Sequence, residues 1–331
     1  MLPLGGTARS AQGRGGAFEP HAASPPSGSG LQAAARTAGA PMNAERLRRN
    51  FLRACALDVA VRKPGNVSAA SPGHGMHAGL FLASAQAAQD GLFTQGASVG
   101  ARIEAAVAAT LSVAGCNTNL GIVLLCAPLA LAFEQAGAAP SEASLRAALR
   151  SVLAALDVED ARAAYRAIGA ARPGGLGRAE AQDVAAEPTV SLLEAMRLAA
   201  RRDRIAWQYA NDHADLFDPG LRTLEKLRPA NGMPVGAPAV QALFLAFLGR
   251  FPDAHIVRKF GPVQAQAVTA EALPWLQRAE QGESLDADPA FGAWDETLKA
   301  RGLNPGTSAD LTVASLFLAG TLGAVSLPAS P

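Results

Sequence analysis

Between Leu120 and Leu131 the chain carries no charged, amide or hydroxyl side chain. A helix this apolar has no face to turn to water, so it must run through the interior of a folded body with other elements around it. Upstream, Ile103, Val107, Thr110 and Leu111 recur at helical spacing and predict a second helix. Between the two lies Gly115-Cys116-Asn117-Thr118-Asn119-Leu120-Gly121, which sets amide and hydroxyl groups where the buried helix begins. Asn117, Thr118 or Asn119 can cap that helix. Its unpaired N–H groups and partial positive charge also make the loop a cradle for phosphate. For this segment alone, a capped turn between core helices is the simpler reading.

The elements around it are expected to be helical too. Ala and Leu dominate, and only 5% of the 331 residues are aromatic, which favours helices over sheets. A first helix carries Leu47, Phe51, Ala54 and Cys55 on one face and ends before Pro64-Gly65. Further helices are predicted over 77–90, 98–113, 120–136, 141–155, 158–169, 189–210, 220–228, 237–250, 264–281, 290–301 and 308–322. Pro173-Gly174-Gly175 makes the middle of the chain a loop, and no fixed-period repeat points to a solenoid. The fold class is all-α, a compact multi-helix bundle. Residues 1–42, rich in Gly, Ala, Ser and Pro, read as a disordered low-complexity extension, and 43–327 as a single catalytic domain.

Charge and cysteine usage narrow the partners. A net charge of +1 gives no field suited to a polyanionic duplex, so nucleic acid is not expected. The apolar run is shorter than the roughly 20 residues a bilayer demands and contains Pro128, so no membrane span is expected. Cys55, Cys116 and Cys126 lack metal-binding spacing and read as buried thiols of a soluble cytoplasmic protein.

Candidate chemistry sits at the punctuation points. In Arg62-Lys63-Pro64-Gly65-Asn66-Val67-Ser68, Gly65 lets backbone approach a ligand, while Lys63 and Asn66 supply cationic and amide donors. Asn304-Pro305-Gly306-Thr307-Ser308-Ala309-Asp310 opens the last helix in the same manner, where Thr307 or Ser308 can also serve simply as the cap and Asp310 sits favourably in the first turn. Asp58, Glu104, Asp203, Asp253 and Asp310 lie in or beside apolar helices, where ionised carboxylates need a cation or donors. Together with Lys63, Arg258 and Lys259 they can build a magnesium-nucleotide site, with Glu104, Asp203, Asp253 and Asp310 holding the metal. Such a site requires Lys63, Asn117 and Ser308 to converge on one cleft with Glu104, Asp203 and Asp253. Lys63 and Asp253 are then expected to act through charge on the nucleotide and not through fold stability. His74 and His77 find no sequence-local carboxylate or cysteine that completes a triad.

These pieces, in this order, resemble the triphosphoribosyl-dephospho-coenzyme A synthase family. The landmarks are Asp58 through Ser68, Phe81-Leu82-Ala83-Ser84-Ala85, Glu104 through Thr110, Asn117 through Gly121, Asp203-Arg204-Ile205-Ala206, Asp253 through Gly261, and Asn304 through Leu311. The resemblance implies an all-α pentosyltransferase that takes Mg2+ and uses ATP as a substrate. It joins ATP to 3′-dephospho-coenzyme A, releases adenine and leaves the triphosphate on the transferred ribose. By the same resemblance Asp58, Glu104, Asp203 and Asp253 are catalytic candidates. Lys63, Gly65, Asn66, Asn117, Thr118, Asn119, Gly121, Arg258, Lys259, Gly306 and Ser308 would bind nucleotide or phosphate. Citrate- and malonate-pathway members typically carry Asn-Thr-His-Lys-Gly where this chain has Asn117-Thr118-Asn119-Leu120-Gly121. The chain looks more like a divergent branch near one-carbon metabolism, for which the acceptor is dephospho-coenzyme A-like or comes from a pterin pathway. The alternative is a catalytically silent nucleotide-binding or scaffolding protein of the same fold.

Overall fold

The computed structural model describes residues 43–329; the predicted 1–42 extension lies outside the described residues. Helices fill the described region, and the single β feature among the described residues is a bridge between Gly73 and Met76. The order begins with α1 (Ala44–Ala60), α2 (Ala78–Leu92), α3 (Val99–Ala114), α4 (Leu120–Ala136), α5 (Glu142–Ala154), α6 (Val158–Ala171) and α7 (Leu192–Ala199). It continues with α8 (Arg204–Ala210), α9 (Arg222–Lys226), α10 (Ala237–Leu248), α11 (Ala254–Phe260), α12 (Pro262–Glu280), α13 (Pro289–Ala300) and α14 (Gly306–Leu322). The all-α expectation holds.

Two helices form the axis because their sequences leave no polar face. α4 is buried without a gap from Leu120 to Ala130, and α14 from Leu311 to Ala319, and the two pack against each other. Phe317 of α14 fills the space between them and their neighbours, with ring centroids 5.8 Å from Phe133, 5.8 Å from Phe93 and 6.3 Å from Phe51. Pro128 interrupts the hydrogen-bond ladder of α4, since it has no N–H to offer the Leu124 carbonyl. The Tyr209 hydroxyl takes that place, donating to Leu124 O at 2.7 Å. A second apolar cluster, built on Phe244, Leu276 and Phe291, joins α10, α12 and α13.

One predicted helix is two. The span 189–210 breaks between α7 and α8, because Asp203 adopts an extended backbone and its side chain accepts from Ile205 N and Ala206 N. Cys55 and Cys126 are buried as expected, but Cys116 is exposed because it lies in the turn after Gly115, whose left-handed φ of 66° ends α3. No helix among the described residues is long and apolar enough to cross a membrane.

Candidate active site

The α4 N-terminus and the first turns of α14 meet at one end of a cleft of about 580 Å³. Contact there is close: a Cβ on Gly121 would fall 2.0 Å from Asp310 Oδ2, so only glycine leaves room for that carboxylate. Asn117 is the residue that caps, its Oδ1 accepting from Leu120 N at 3.1 Å, while the Thr118 hydroxyl donates to Ser84 Oγ at 2.7 Å. The N–H groups of Gly121 and Ile122 are left with no acceptor among the described residues. Asn119, at the N-cap position, makes no capping bond; it is 5% exposed, lines the cleft, and its Nδ2 has no partner. Such a buried, unmet donor beside free helix amides favours an anionic ligand.

Acidic groups surround this anion-ready end. Asp310 lines the cleft and its carboxylate makes no hydrogen bond or ion pair with any described residue. Burial raises its pKa well above the usual carboxylate range, and the nearby carboxylates of Asp253, Asp58 and Asp203 push the same way. Asp58 also borders the cleft, with Oδ1 3.1 Å from Lys63 Nζ; burial raises its pKa while Lys63 opposes the rise. Asp203 lines the cleft too, its Oδ2 taken by Arg258. No three His, Cys, Asp or Glu side chains among the described residues gather as a ready-made metal cage.

Several other candidates do not reach the cleft surface. Glu104 lies on the outer face of α3 and receives two hydrogen bonds from Arg166 of α6, at 2.6 and 2.7 Å, which lower its pKa. Lys63 is fully buried and ties the end of α1 by donating to the carbonyls of Asp58 and Val61. Gly65 faces protein and not ligand: with φ at 79°, its N–H donates to Asp295 Oδ1 and a Cβ would meet Leu303 O at 2.6 Å. Asp253 lies beneath α14, where Oδ2 accepts from Ser308 N and Ser308 Oγ, each at 2.8 Å, and Oδ1 caps α11. Ser308 is thereby occupied, and the Lys259 stem covers Gly174. Asn66, Arg258 and Gly306 do line the cleft, Asn66 donating to Asn304 Oδ1 at 2.9 Å.

Other cleft residues escaped sequence reasoning. His255 lines the cleft with Nε2 unpartnered; burial first, then Lys259, Arg258 and His74, lower its pKa to about 3, so the ring is neutral. It lies within the Asp253–Gly261 landmark, which was its only sequence signal. Further lining comes from α6, the α6–α7 connection, α7 and the turn after it, and includes Leu176, Arg178, Met196, Leu198 and Arg202. In sequence that connection shows only turn signals.

The chain matches the family model described as ATP:dephospho-CoA triphosphoribosyl transferase over residues 44–326. No curated protein matches it. Among solved structures it resembles a candidate triphosphoribosyl-dephospho-coA synthase from Archaeoglobus fulgidus at a TM-score of 0.55 and 24% identity, covering 73% of this chain and 98% of that one. That likeness supports the fold, while the family match spans every element that builds the cleft. The chain therefore belongs to the ATP:dephospho-CoA triphosphoribosyl transferase family.

Proposed function

We propose that the cleft holds the ATP triphosphate at the α4 N-terminus and catalyses triphosphoribosyl transfer to dephospho-coenzyme A, or a closely related ribosyl-phosphate transfer to a pterin-pathway acceptor. The observation that carries this reading is the meeting of Asp310 with Gly121. An anion cradle and a carboxyl group with no hydrogen-bond partner occupy the same few ångströms, and a cation held by Asp310 would lower that group's pKa and let an ionised carboxylate and a polyphosphate share the site. Magnesium fits, because it is commonly held by one or two carboxylates plus substrate phosphates and water, without a protein cage. Asp310 would hold it, and bound there it would neutralise charge on the triphosphate.

The acceptor hydroxyl oxygen forms a bond to the anomeric carbon of the ATP ribose as the bond to adenine breaks. Adenine departs with the electron pair and gains one proton, and the hydroxyl loses one. Asp58 and Asp203 border the cleft, and a carboxylate there would stabilise the positive charge that develops at the anomeric carbon. Asn119 Nδ2 and the N–H groups of Gly121 and Ile122 donate to phosphate oxygens. Neutral His255 offers a hydrogen bond without adding charge. The free cysteines and the absence of a membrane-spanning helix among the described residues support a cytoplasmic setting.

Chromatographic detection of free adenine after incubation with ATP, dephospho-coenzyme A and Mg2+ tests the proposal. Release that depends on both acceptor and Mg2+ is expected. No adenine with dephospho-coenzyme A or with pterin-pathway acceptors would overturn it in favour of a silent nucleotide-binding protein.

A further inference from the structure

The part of the cleft lining between Pro173 and Arg202 differs in chemistry from the part built by α4 and α14. It contains none of the segments that carry the family resemblance, yet this wall supplies much of the cleft surface. Leu176 and Leu198 are 42% and 57% exposed at this wall, beside Met196. Water-exposed leucines lining a cleft are surface that a ligand would cover. Next to them Arg178 and Arg202 are exposed, line the cleft, and form no side-chain hydrogen bond or ion pair with any described residue.

Both guanidinium groups act electrostatically on Asp183, but that carboxylate is occupied by the N–H groups of Ala179 and Ala185. Glu180 is the one carboxylate that this wall presents to the cleft. The wall is also anchored. Tyr165 Oη donates to Gln182 O at 2.7 Å, and a Cβ on Gly175 would meet Arg258 O at 2.6 Å. Two cations beside an apolar strip, on a fixed wall, match a ligand in which a diphosphate leads into an uncharged arm.

Building on the proposed function, we infer that this wall is the acceptor subsite: Arg178 and Arg202 hold a diphosphate bridge, and Leu176, Met196 and Leu198 cover an extended uncharged arm. The acceptor class is therefore a nucleoside diphosphate ester with a long neutral substituent, which dephospho-coenzyme A satisfies and an acceptor lacking the diphosphate does not. The proposed triphosphate contacts, Asn119 Nδ2 and the N–H groups of Gly121 and Ile122, belong to other residues of the cleft, so the two substrates should respond to different substitutions.

Calorimetric titration of dephospho-coenzyme A without ATP reads the subsite directly, independent of turnover. Each of Arg178→Gln and Arg202→Gln should weaken binding about tenfold, as expected for loss of one charge-assisted contact. The double substitution Leu176→Ser and Leu198→Ser should weaken it as well. These side chains are exposed, so the variants should melt like the wild type. In turnover, KM for dephospho-coenzyme A should rise while KM for ATP stays within about twofold. The inference is overturned if wild type does not bind dephospho-coenzyme A, if the arginine variants bind it unchanged, or if KM for ATP rises instead. Binding that depends on the arginines, but without adenine release, would retain the subsite and sink only the proposed reaction.

Discussion

Replacing Lys63 by methionine keeps most of the aliphatic stem and removes the ammonium that lies 3.1 Å from Asp58 Oδ1. Lys63 is 0% exposed and Asp58 5%, so water cannot take over the lost interactions. Removing one partner of a buried ion pair costs about 3–5 kcal/mol, because the other charge stays buried alone. At roughly 2 °C per kcal/mol, the low end for large domains, the melting temperature should fall by about 6–10 °C. The pH dependence has a definite direction. Burial already raises the Asp58 pKa, and Lys63 is the group that opposes the rise. A carboxyl with a raised folded pKa binds its proton more tightly folded than unfolded, so its penalty is complete above the folded pKa and fades as pH falls through it. In Lys63→Met that pKa rises further, and the loss should be smaller at pH 5 than at pH 8. Calorimetric melting at both pH values, with Asp58→Asn/Lys63→Met as a partial rescue, checks this. A variant that melts within about 1 °C of wild type at pH 8, or loses as much at pH 5, refutes the reasoning.

Asp253→Asn turns an amide toward Ser308 N and Ser308 Oγ and should cost about 1–3 kcal/mol in denaturant melts. Tyr209→Phe removes the donor to Leu124 O and should cost a similar amount, about 1–3 kcal/mol, with little effect on KM. Gly121→Ala places a methyl 2.0 Å from Asp310 Oδ2; adenine release should fall by at least tenfold, and activity close to wild type would count against the Asp310 assignment. Asp310→Asn should weaken the dependence of the rate on Mg2+, read from metal titrations of adenine release, and an unaltered titration would remove Asp310 as the metal-holding group.

Helix positions were largely legible because Gly, Pro and capping residues mark the ends, and α2 to α6 begin and end within two residues of expectation. The α7/α8 break was not, because Asp203 looked like one acid in a helix and its capping role depends on backbone angles. Asp58, Asn119, Gly121, Asp203 and Asp310 could be picked out as polar or glycine interruptions of apolar segments, and the fold brings all five to the cleft. Glu104 met the same criterion, but its partner Arg166 lies 62 residues downstream, and no local pattern reveals that pairing. Lys63 and Asp253 read as ligand-facing charges although each is spent inside the protein, Lys63 on carbonyls at the end of α1 and Asp253 on the start of α14. The lining between Pro173 and Arg202 depends in part on packing of the loop at Gly174 and Gly175 against α11, which turn residues alone do not encode.

A crystal structure with Mg-ATP bound tests the central claim most directly. The triphosphate is predicted within hydrogen-bonding reach of Asn119 Nδ2 and the N–H groups of Gly121 and Ile122, with the metal between a phosphate oxygen and Asp310. A triphosphate bound at the Arg178–Arg202 wall, or a metal that leaves Asp310 untouched, would contradict it.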